Sequence, residues 1–170
     1  MLIVFSGLPG TGKTTIAREI ARRLDAVYLR IDSIEQALAR SSLKIGDAAD
    51  AGYAAAYALA EDNLRLGRVV VADSVNPIEL TRVAWREAAI RAGCGSVDVE
   101  VVCSDAAEHR RRVETRGSDI PGHEPPAWAE VAARDYRPWD RDRILIDTAG
   151  RDAAASAAEL LAKLAPLTTR

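Results

Sequence analysis

Hydrophobic and polar positions along the chain follow two different periods. Short apolar runs rich in branched side chains are typical of buried strands. Such runs occur at residues 2–5, 26–31, 69–72, 97–102 and 144–146. The segments between them place apolar residues at helical spacing, which predicts helices near residues 33–40, 48–66, 77–92, 105–116, 128–136 and 152–164. This alternation predicts a doubly wound α/β fold, in which a five-stranded parallel sheet is covered on both faces.

Two segments depart from the simple alternation. In the fourth run, Asp98 and Glu100 alternate with valines, which predicts a less buried strand toward one edge of the sheet. Residues 117–126 contain two glycines and three prolines, which exclude a regular helix or strand. A loop of this length inside a compact domain is usually either a functional lid or disordered, and we expect a lid at about residues 116–127.

The turn after the first apolar run carries the most specific chemical signal. It reads Gly7-Leu8-Pro9-Gly10-Thr11-Gly12-Lys13-Thr14 and matches the phosphate-binding pattern G-x-x-x-x-G-K-[ST]. Its glycines let backbone N–H groups approach phosphate oxygens, and the next helix directs its positive end to the same place. Lys13 would bind the β- and γ-phosphates, and the Thr14 hydroxyl would bind Mg²⁺. A glycine-rich turn without a ligand is the alternative, but it gives Lys13 and Thr14 no structural purpose. The predicted nucleotide-binding residues are Gly7, Leu8, Pro9, Gly10, Thr11, Gly12, Lys13, Thr14 and Thr15.

Two carboxylates follow strands of the predicted sheet, whose carboxyl ends form the ligand-binding edge. Asp73 follows the third run and is expected to hold Mg²⁺, directly or through water. Asp32 follows the second run and is expected to accept the proton of an attacking hydroxyl. Each could instead cap the next helix, although Asn76 and Ser33 are also placed to cap those helices.

The predicted helix at residues 105–116 is unusually basic. Such a run usually marks a solvated face. However, Arg112 and Arg116 are four residues apart, share one face and directly precede the predicted lid. There they could neutralise charge on a transferred phosphoryl group. Arg110 is expected to pair with Glu114 instead.

Other conspicuous side chains are not assigned to the candidate site. His109 and His123 lack partners at metal-ligand spacing and receive no role. Trp128, Ala132 and Tyr136 form a stripe at helical spacing, which predicts the core-facing side of a helix.

Composition narrows the choice of function. The length of 170 residues predicts a single domain, residues 1–170. The net charge of −2 predicts no global electrostatic field that would attract nucleic acid or an anionic membrane. We expect neither a membrane span nor a signal peptide, because no apolar stretch has the length or the position. Cys94 and Cys103 lack metal spacing and are expected to be reduced thiols of a cytoplasmic protein.

The chain resembles P-loop kinases of the adenylate-kinase-like group, and more narrowly the small AAA-type kinases related to chloramphenicol phosphotransferase, zeta toxin and polynucleotide kinase. Beside the phosphate-binding turn, the resemblance rests on Arg30-Ile31-Asp32, Val71-Ala72-Asp73-Ser74-Val75-Asn76-Pro77 and Arg112-Val113-Glu114-Thr115-Arg116. It implies the strand order 2-3-1-4-5, Asp32 facing the acceptor, lid arginines on the ATP phosphates, and residues 147–152 near the adenine. The segment Ser33-Ile34-Glu35-Gln36 lacks the arginine pattern of nucleoside monophosphate kinases, which argues against a nucleotide acceptor.

These features predict a kinase that uses ATP and Mg²⁺ to move the γ-phosphoryl group to a hydroxyl of a small molecule. The predicted catalytic residues are Lys13, Asp32, Arg112 and Arg116, and the predicted metal ligands are Thr14 and Asp73. The acceptor pocket is expected between residues 33 and 66 and the lid. The acceptor itself and the oligomeric state stay open.

Two alternative functions share the nucleotide site. A polynucleotide 5′-hydroxyl kinase would need a basic groove, which the near-neutral charge and the acidic region at residues 47–62 do not favour. An ATPase switch that acts through a protein partner would not need Asp32 directed at a substrate.

Overall fold

The computed structural model describes residues 1–42 and 49–168. Its strands are β1 (Leu2–Ser6), β2 (Val27–Arg30), β3 (Val70–Asp73), β4 (Ser96–Val102) and β5 (Ile144–Asp147). Its helices are α1 (Lys13–Arg23), α2 (Ile31–Ala39), α3 (Ala51–Arg65), α4 (Glu79–Arg91), α5 (Ala106–Thr115), α6 (Trp128–Ala132) and α7 (Ala153–Thr168). Along the chain they follow the order β1-α1-β2-α2-α3-β3-α4-β4-α5-α6-β5-α7.

The five strands form one parallel sheet in the order β2-β3-β1-β4-β5, which confirms the predicted fold and strand order. β1 lies in the middle of the sheet, so the turn after it opens at the centre of the carboxyl edge. Asp73, the last residue of β3, pairs with Phe5 of β1 on one side and with Arg30 of β2 on the other. This register brings the polar ends of β2 and β3 beside the turn after β1.

The side chains of β1 alternate between two hydrophobic cores, one on each face of the sheet. Ile3 and Phe5 pack with apolar residues of α1 and α7. Leu2 and Val4 pack with apolar residues of α3 and α4. All four side chains are fully buried, and each such burial contributes about 1.5–3 kcal/mol. The strand that carries the phosphate-binding turn is therefore anchored from both faces.

The prediction that β4 is poorly buried is wrong. β4 does lie next to the edge strand β5, but Asp98 and Glu100 are only 9% and 6% exposed. Arg86 donates to Asp98 at 3.0 Å, and Arg143 donates to Glu100 at 2.6 Å. Partner arginines from outside the strand thus allow acidic residues to point inward, which the alternation of charge and valine could not reveal.

Two helices begin at positions other than the predicted ones. α2 begins at Ile31, directly after β2, so Asp32 lies in its first turn instead of ending the strand. Arg30 occupies the N-cap position and no described side chain caps this helix, so neither Asp32 nor Ser33 is the cap. α4 begins at Glu79, two residues after Pro77. The start predicted for the third helix, residue 48, lies outside the described residues.

Asn76 is a buried connector and not the cap of α4. Its backbone is left-handed, with φ 47°, which turns the chain away from a helical path. Its amide group donates to Phe5 O at 3.1 Å and Ser6 Oγ at 3.2 Å, and its Oδ1 accepts from Trp85 Nε1 at 3.1 Å. These bonds join the loop after β3 to the end of β1 and to α4.

α6 is shorter than predicted, so the prediction of a core-facing helical stripe from Trp128 to Tyr136 is wrong. The helix ends at Ala132, and Val131 is its buried residue. The chain beyond α6 is held by the fully buried Arg82, which donates to the backbone carbonyls of Arg137 at 2.8 Å and Pro138 at 3.2 Å. These contacts draw the segment away from a helical path.

Candidate active site

Close contacts with neighbouring elements fix the turn between β1 and α1. Gly7 N–H donates to Val75 O at 3.1 Å, and a Cβ added to Gly7 would lie 2.2 Å from the Val101 carbonyl oxygen. Gly12, the N-cap of α1, has φ 89°, a backbone conformation that L side chains rarely adopt. An added Cβ there would lie 3.8 Å from Thr148, its nearest neighbour. The turn is therefore pressed against β4 on one side and open at the start of α1.

His109 supports the same turn from α5. Its ring is buried, and Nε2 donates to Pro9 O at 2.8 Å. A Cβ on Gly10 would lie 3.3 Å from the His109 ring and 2.4 Å from Val113 Cγ2. The His109 and Trp128 rings also form a T-shaped contact, with their centroids 5.2 Å apart. His109 therefore supports the turn structurally, a role that the basic sequence of its helix did not predict.

Lys13, Tyr28 and Asp73 form a compact buried group at the base of the turn. Lys13 Nζ lies 2.6 Å from Asp73 Oδ1, and the Tyr28 hydroxyl donates to Asp73 Oδ2 at 2.6 Å. Burial alone would raise the pKa of Asp73, but the Lys13 charge and hydrogen bonds from Lys13, Tyr28 and Thr14 hold it below its ordinary value. The carboxylate form of Asp73 is therefore favoured, and it holds the Lys13 ammonium at the base of the turn.

The oxygen atoms of Thr14 and Asp73 suit Mg²⁺ in the presence of a nucleotide. Among the described residues, no group of three His, Cys, Asp or Glu side chains could hold a metal ion. Mg²⁺ in nucleotide sites takes only one or two protein oxygens and completes its shell with phosphates and water. The Asp73 carboxyl group, whose pKa is lowered, and the neighbouring Thr14 hydroxyl offer this donor set. The residues therefore fit Mg²⁺ as part of a nucleotide complex and not as a metal site of its own.

A cavity of about 600 Å³ extends from the turn to the segment at residues 116–127, which has no helix or strand. The predicted site residues that line this cavity are Pro9, Gly10, Gly12, Lys13, Thr14, Thr15, Asp32, Arg112 and Arg116. Gly7, Leu8, Thr11 and Asp73 do not line it. The first three shape the turn from behind, where the Thr11 hydroxyl donates to Leu8 O at 2.9 Å. Asp73 lies behind Lys13.

Asp32 lies in the cavity wall across from the turn, and its side chain is 37% exposed. Its Oδ2 lies 3.6 Å from Arg30 Nε. Glu35, one helical turn later on α2, lines the same cavity. Burial, and then the charge of Asp32, raises the pKa of Glu35. The wall therefore presents two neighbouring carboxyl groups.

Arg112 is held rigidly at the edge of the turn. Its guanidinium donates to Glu108 Oε1 at 2.6 Å, to Thr148 Oγ1 at 2.8 Å and to Thr148 O at 2.9 Å. The Thr148 hydroxyl in turn donates to Thr11 O at 2.8 Å. The loop after β5 therefore lies beside the phosphate-binding turn and positions Arg112 there.

Arg116 lies at the C-cap of α5, where the 116–127 segment begins. Its Nε is buried without a hydrogen-bond partner among the described residues. Burial lowers the pKa of Arg116, an effect that the charge of Asp32 opposes. A buried guanidinium with a free donor is suited to bind an anion. By contrast, Arg110 is paired with Glu114 at 2.8 Å, as predicted.

Five charged residues that line the cavity received no functional role from the sequence. They are Arg18, Arg30, Glu35, Asp119 and Arg134. Arg18 shares the polar face of α1 with other arginines, so its spacing alone did not distinguish it. Arg30 was visible beside Asp32 in the sequence, but only the early start of α2 shows that it lies at the cavity wall.

A phosphate-binding turn on the central strand of a 2-3-1-4-5 parallel sheet, with Lys13 and Thr14 at its end, defines the fold of P-loop kinases. A family model described as an AAA domain matches residues 2–131, and the chain belongs to this family. No curated protein matches the chain.

Solved structures of kinases and related proteins share this fold over nearly the whole chain. Chaetomium thermophilum Kti12 in complex with ADP-AlF3 is 25% identical, with a TM-score of 0.72 and 98% of each chain covered. Mycobacterium tuberculosis APS kinase CysC in complex with AMPPNP and APS is 18% identical, with a TM-score of 0.71 and 96% of each chain covered. A gluconokinase from Sinorhizobium meliloti is 23% identical, with a TM-score of 0.65, 97% of this chain and 91% of that chain covered.

Within residues 1–42 and 49–168, no helix combines the length and the apolar composition that crossing a membrane requires.

Proposed function

We propose that the protein is an ATP- and Mg²⁺-dependent kinase that transfers the γ-phosphoryl group to a hydroxyl of a small molecule. One observation carries this proposal: a single cavity joins Lys13 and Thr14 of the phosphate-binding turn to the Asp32 carboxylate. An ATPase switch would need the first part of this cavity but not the second.

In the proposed reaction, Lys13 exchanges its bond to Asp73 for one to the γ-phosphate. Asp32 accepts the proton of the acceptor hydroxyl while the oxygen of that hydroxyl bonds to the γ-phosphorus. The bond between that phosphorus and the β,γ-bridging oxygen breaks, and ADP leaves. Mg²⁺, held through Thr14 and Asp73, would neutralise charge on the phosphates. Arg112 is already fixed beside the turn, and the free Nε of Arg116 would stabilise the transferred group.

The fold that the chain shares with solved structures in complex with ADP-AlF3 or AMPPNP supports the nucleotide half of the proposal. The acceptor half is tested by a screen of hydroxyl compounds for stimulated ADP release and phosphorylated product. Asp32→Asn is expected to lower the transfer rate by about 10²–10⁴-fold while Mg·ATP still binds. Lys13→Ala is expected to weaken both, because it removes a charge from the phosphates.

Asp25→Asn is the matched control, because the Asp25 side chain is 99% exposed and lies at the turn after α1. It should leave binding and transfer unchanged. Equal losses of ATP binding and transfer in Asp32→Asn would contradict the role of Asp32. ATP turnover that a protein partner stimulates and no hydroxyl compound does would favour the switch. Tight, salt-sensitive binding of single-stranded DNA or RNA would favour the polynucleotide kinase.

A further inference from the structure

Two arginines and one carboxylate meet in the part of the cavity near Asp32, where the acceptor would bind. Arg18 comes from α1, Arg30 from the end of β2 and Asp119 from the 116–127 segment, and all three line the cavity. The proposed reaction uses none of them. We call these three residues the Arg18–Arg30–Asp119 cluster.

Arg30 is the buried member of the cluster. Its side chain is only 10% exposed, and its Nε makes no hydrogen bond within the described residues, although Asp32 Oδ2 lies 3.6 Å away. Burying a guanidinium is costly unless anions surround it. Among the described residues, Asp32 near Nε and Asp119 on Nη1 are the carboxylates within ion-pair distance of it. The same guanidinium therefore connects the proposed base with the cluster.

The Asp119 carboxylate accepts hydrogen bonds from both arginines. Its Oδ1 and Oδ2 lie 2.9 Å and 3.0 Å from Arg30 Nη1, and Arg18 Nη2 donates to Oδ2. Burial opposes ionisation, but the hydrogen bonds from Arg30 and Arg18 lower the pKa of Asp119 to about 2. The side chain is 47% exposed and lies on a segment without helix or strand, so it is the member of the cluster that can leave most readily.

We propose that the acceptor of this kinase is an anionic hydroxyl compound, whose carboxylate or phosphate replaces Asp119 on Arg30 and Arg18. The inference rests on the proposed function and adds the class of its substrate. Asp119 holds the place of that anion when no acceptor is bound. An anion on Arg30 would bring a hydroxyl of the same molecule toward Asp32, because both groups contact the one guanidinium.

The competing explanation is that Asp119 only fastens the segment over a neutral acceptor. The two explanations differ in what the loss of Asp119 does. If Asp119 competes with the acceptor, Asp119→Ala lowers the KM of an anionic acceptor and leaves kcat largely intact. If Asp119 is only a fastener, the same change lowers kcat and does not improve KM.

The experiment compares matched acceptors that differ in charge. Sorbitol, gluconate and sorbitol 6-phosphate form one set, and glycerol, glycerate and glycerol 3-phosphate form another; the carboxylate and phosphate arms separate the two anions. Phosphorylated product and ADP release are measured with wild-type protein and with Arg30→Gln. Because Arg30 is buried, the more exposed Arg18→Gln provides a second variant that does not threaten folding. Arg23→Gln, also on α1 but paired with Glu19 away from the cavity, is its control.

The inference predicts that the phosphoryl group is transferred to the anionic compounds of each set in preference to the neutral ones. Arg18→Gln and Arg30→Gln should lower kcat/KM for those members by about 10- to 100-fold, mainly through KM, while Mg·ATP affinity and the Arg23→Gln control stay unchanged. Equal transfer to neutral members, unaffected by either variant, would overturn the anionic acceptor and leave the proposed kinase intact. Failure of every hydroxyl compound to stimulate ADP release, despite normal Mg·ATP binding, would overturn the proposed function together with the inference.

A binding measurement tests the cluster without turnover. With Mg·AMPPNP saturating the phosphate-binding turn, inorganic phosphate is titrated into Asp119→Ala and into the double variant Asp119→Ala, Arg30→Gln. Phosphate should raise the melting temperature of the single variant and not of the double variant. The same response in both variants would refute an anion site on Arg30.

Discussion

At the scale of single residues, Glu35 is a cavity-lining carboxyl group whose surroundings disfavour its charged form. It lines the cavity one helical turn after Asp32, and Gly52 of α3 is so close that a Cβ there would lie 2.4 Å from Glu35 Cγ. Burial and the charge of Asp32 disfavour its ionised form. A carboxyl group kept under these conditions is expected to serve the acceptor, as a hydrogen-bond partner of a second hydroxyl.

The pH dependence of stability tests this description of Glu35. Its pKa in the folded protein lies above the ordinary value of 4.5, so the unfolded chain releases the proton first as pH rises. Glu35 therefore lowers stability as pH rises through that window. Glu35→Gln should melt at a higher temperature than wild type near pH 7 and at the same temperature near about pH 4.

Glu87→Gln on the exposed side of α4 is the control, since this side chain is 59% exposed. Its melting temperature should differ from that of wild type by the same amount at both pH values. A Glu35→Gln variant that is less stable than wild type at neutral pH would show that the charged form of Glu35 is favoured by the fold.

At the scale of elements, the boundary between β2 and α2 decides how the site is built. The apolar run at residues 26–31 predicted the strand, but the pattern could not show that the helix begins at Ile31 without a loop. Hydrophobicity cannot separate the last residue of a strand from the first of a helix when both are buried. The direct junction puts Arg30 and Asp32 on one wall, which is the arrangement that the acceptor inference uses.

The glycines of the phosphate-binding turn are expected to have separable roles. Gly7→Ala places a Cβ against the Val101 carbonyl oxygen, so it should lower the free energy of unfolding by about 2–4 kcal/mol. Gly12→Ala meets no atom closer than 3.8 Å, so only its left-handed backbone, about 1–2 kcal/mol, opposes it. Gly12 lines the cavity and Gly7 does not, so Gly12→Ala should weaken Mg·ATP binding more than its small effect on stability suggests.

Urea unfolding and ATP titration of the two variants check this prediction. A Gly7→Ala protein as stable as Gly12→Ala would mean that β4 moves away from the turn at little cost. An unchanged ATP affinity in Gly12→Ala would mean that phosphate does not approach the start of α1.

At the scale of the whole molecule, the sequence predicted the fold from the periodicity of its apolar residues and the phosphate-binding turn from a short motif of fixed spacing. It could not predict the supports of the site, which come from distant parts of the chain. Thr148 fixes Arg112, and Arg82 fixes the segment that follows α6, through bonds to backbone carbonyls. Such bonds depend on tertiary contacts and leave no spacing pattern. Residues 43–48, part of the segment at residues 33–66 expected to build the acceptor pocket, lie outside the described part of the chain.

The distribution of these supports argues that nucleotide binding and global folding are coupled. The turn after β1 touches β4 through Val101, α5 through His109 and the loop after β5 through Thr148, so the site cannot form without both halves of the sheet. We therefore expect one cooperative urea transition, with far-UV circular dichroism and the fluorescence of the three tryptophans giving the same midpoint. Mg·AMPPNP at 100 times its dissociation constant should add about 2.7 kcal/mol to the whole transition, and Lys13→Ala should abolish most of this gain. Two separate transitions, or a nucleotide effect seen by only one probe, would show that residues 1–170 do not unfold as a single domain.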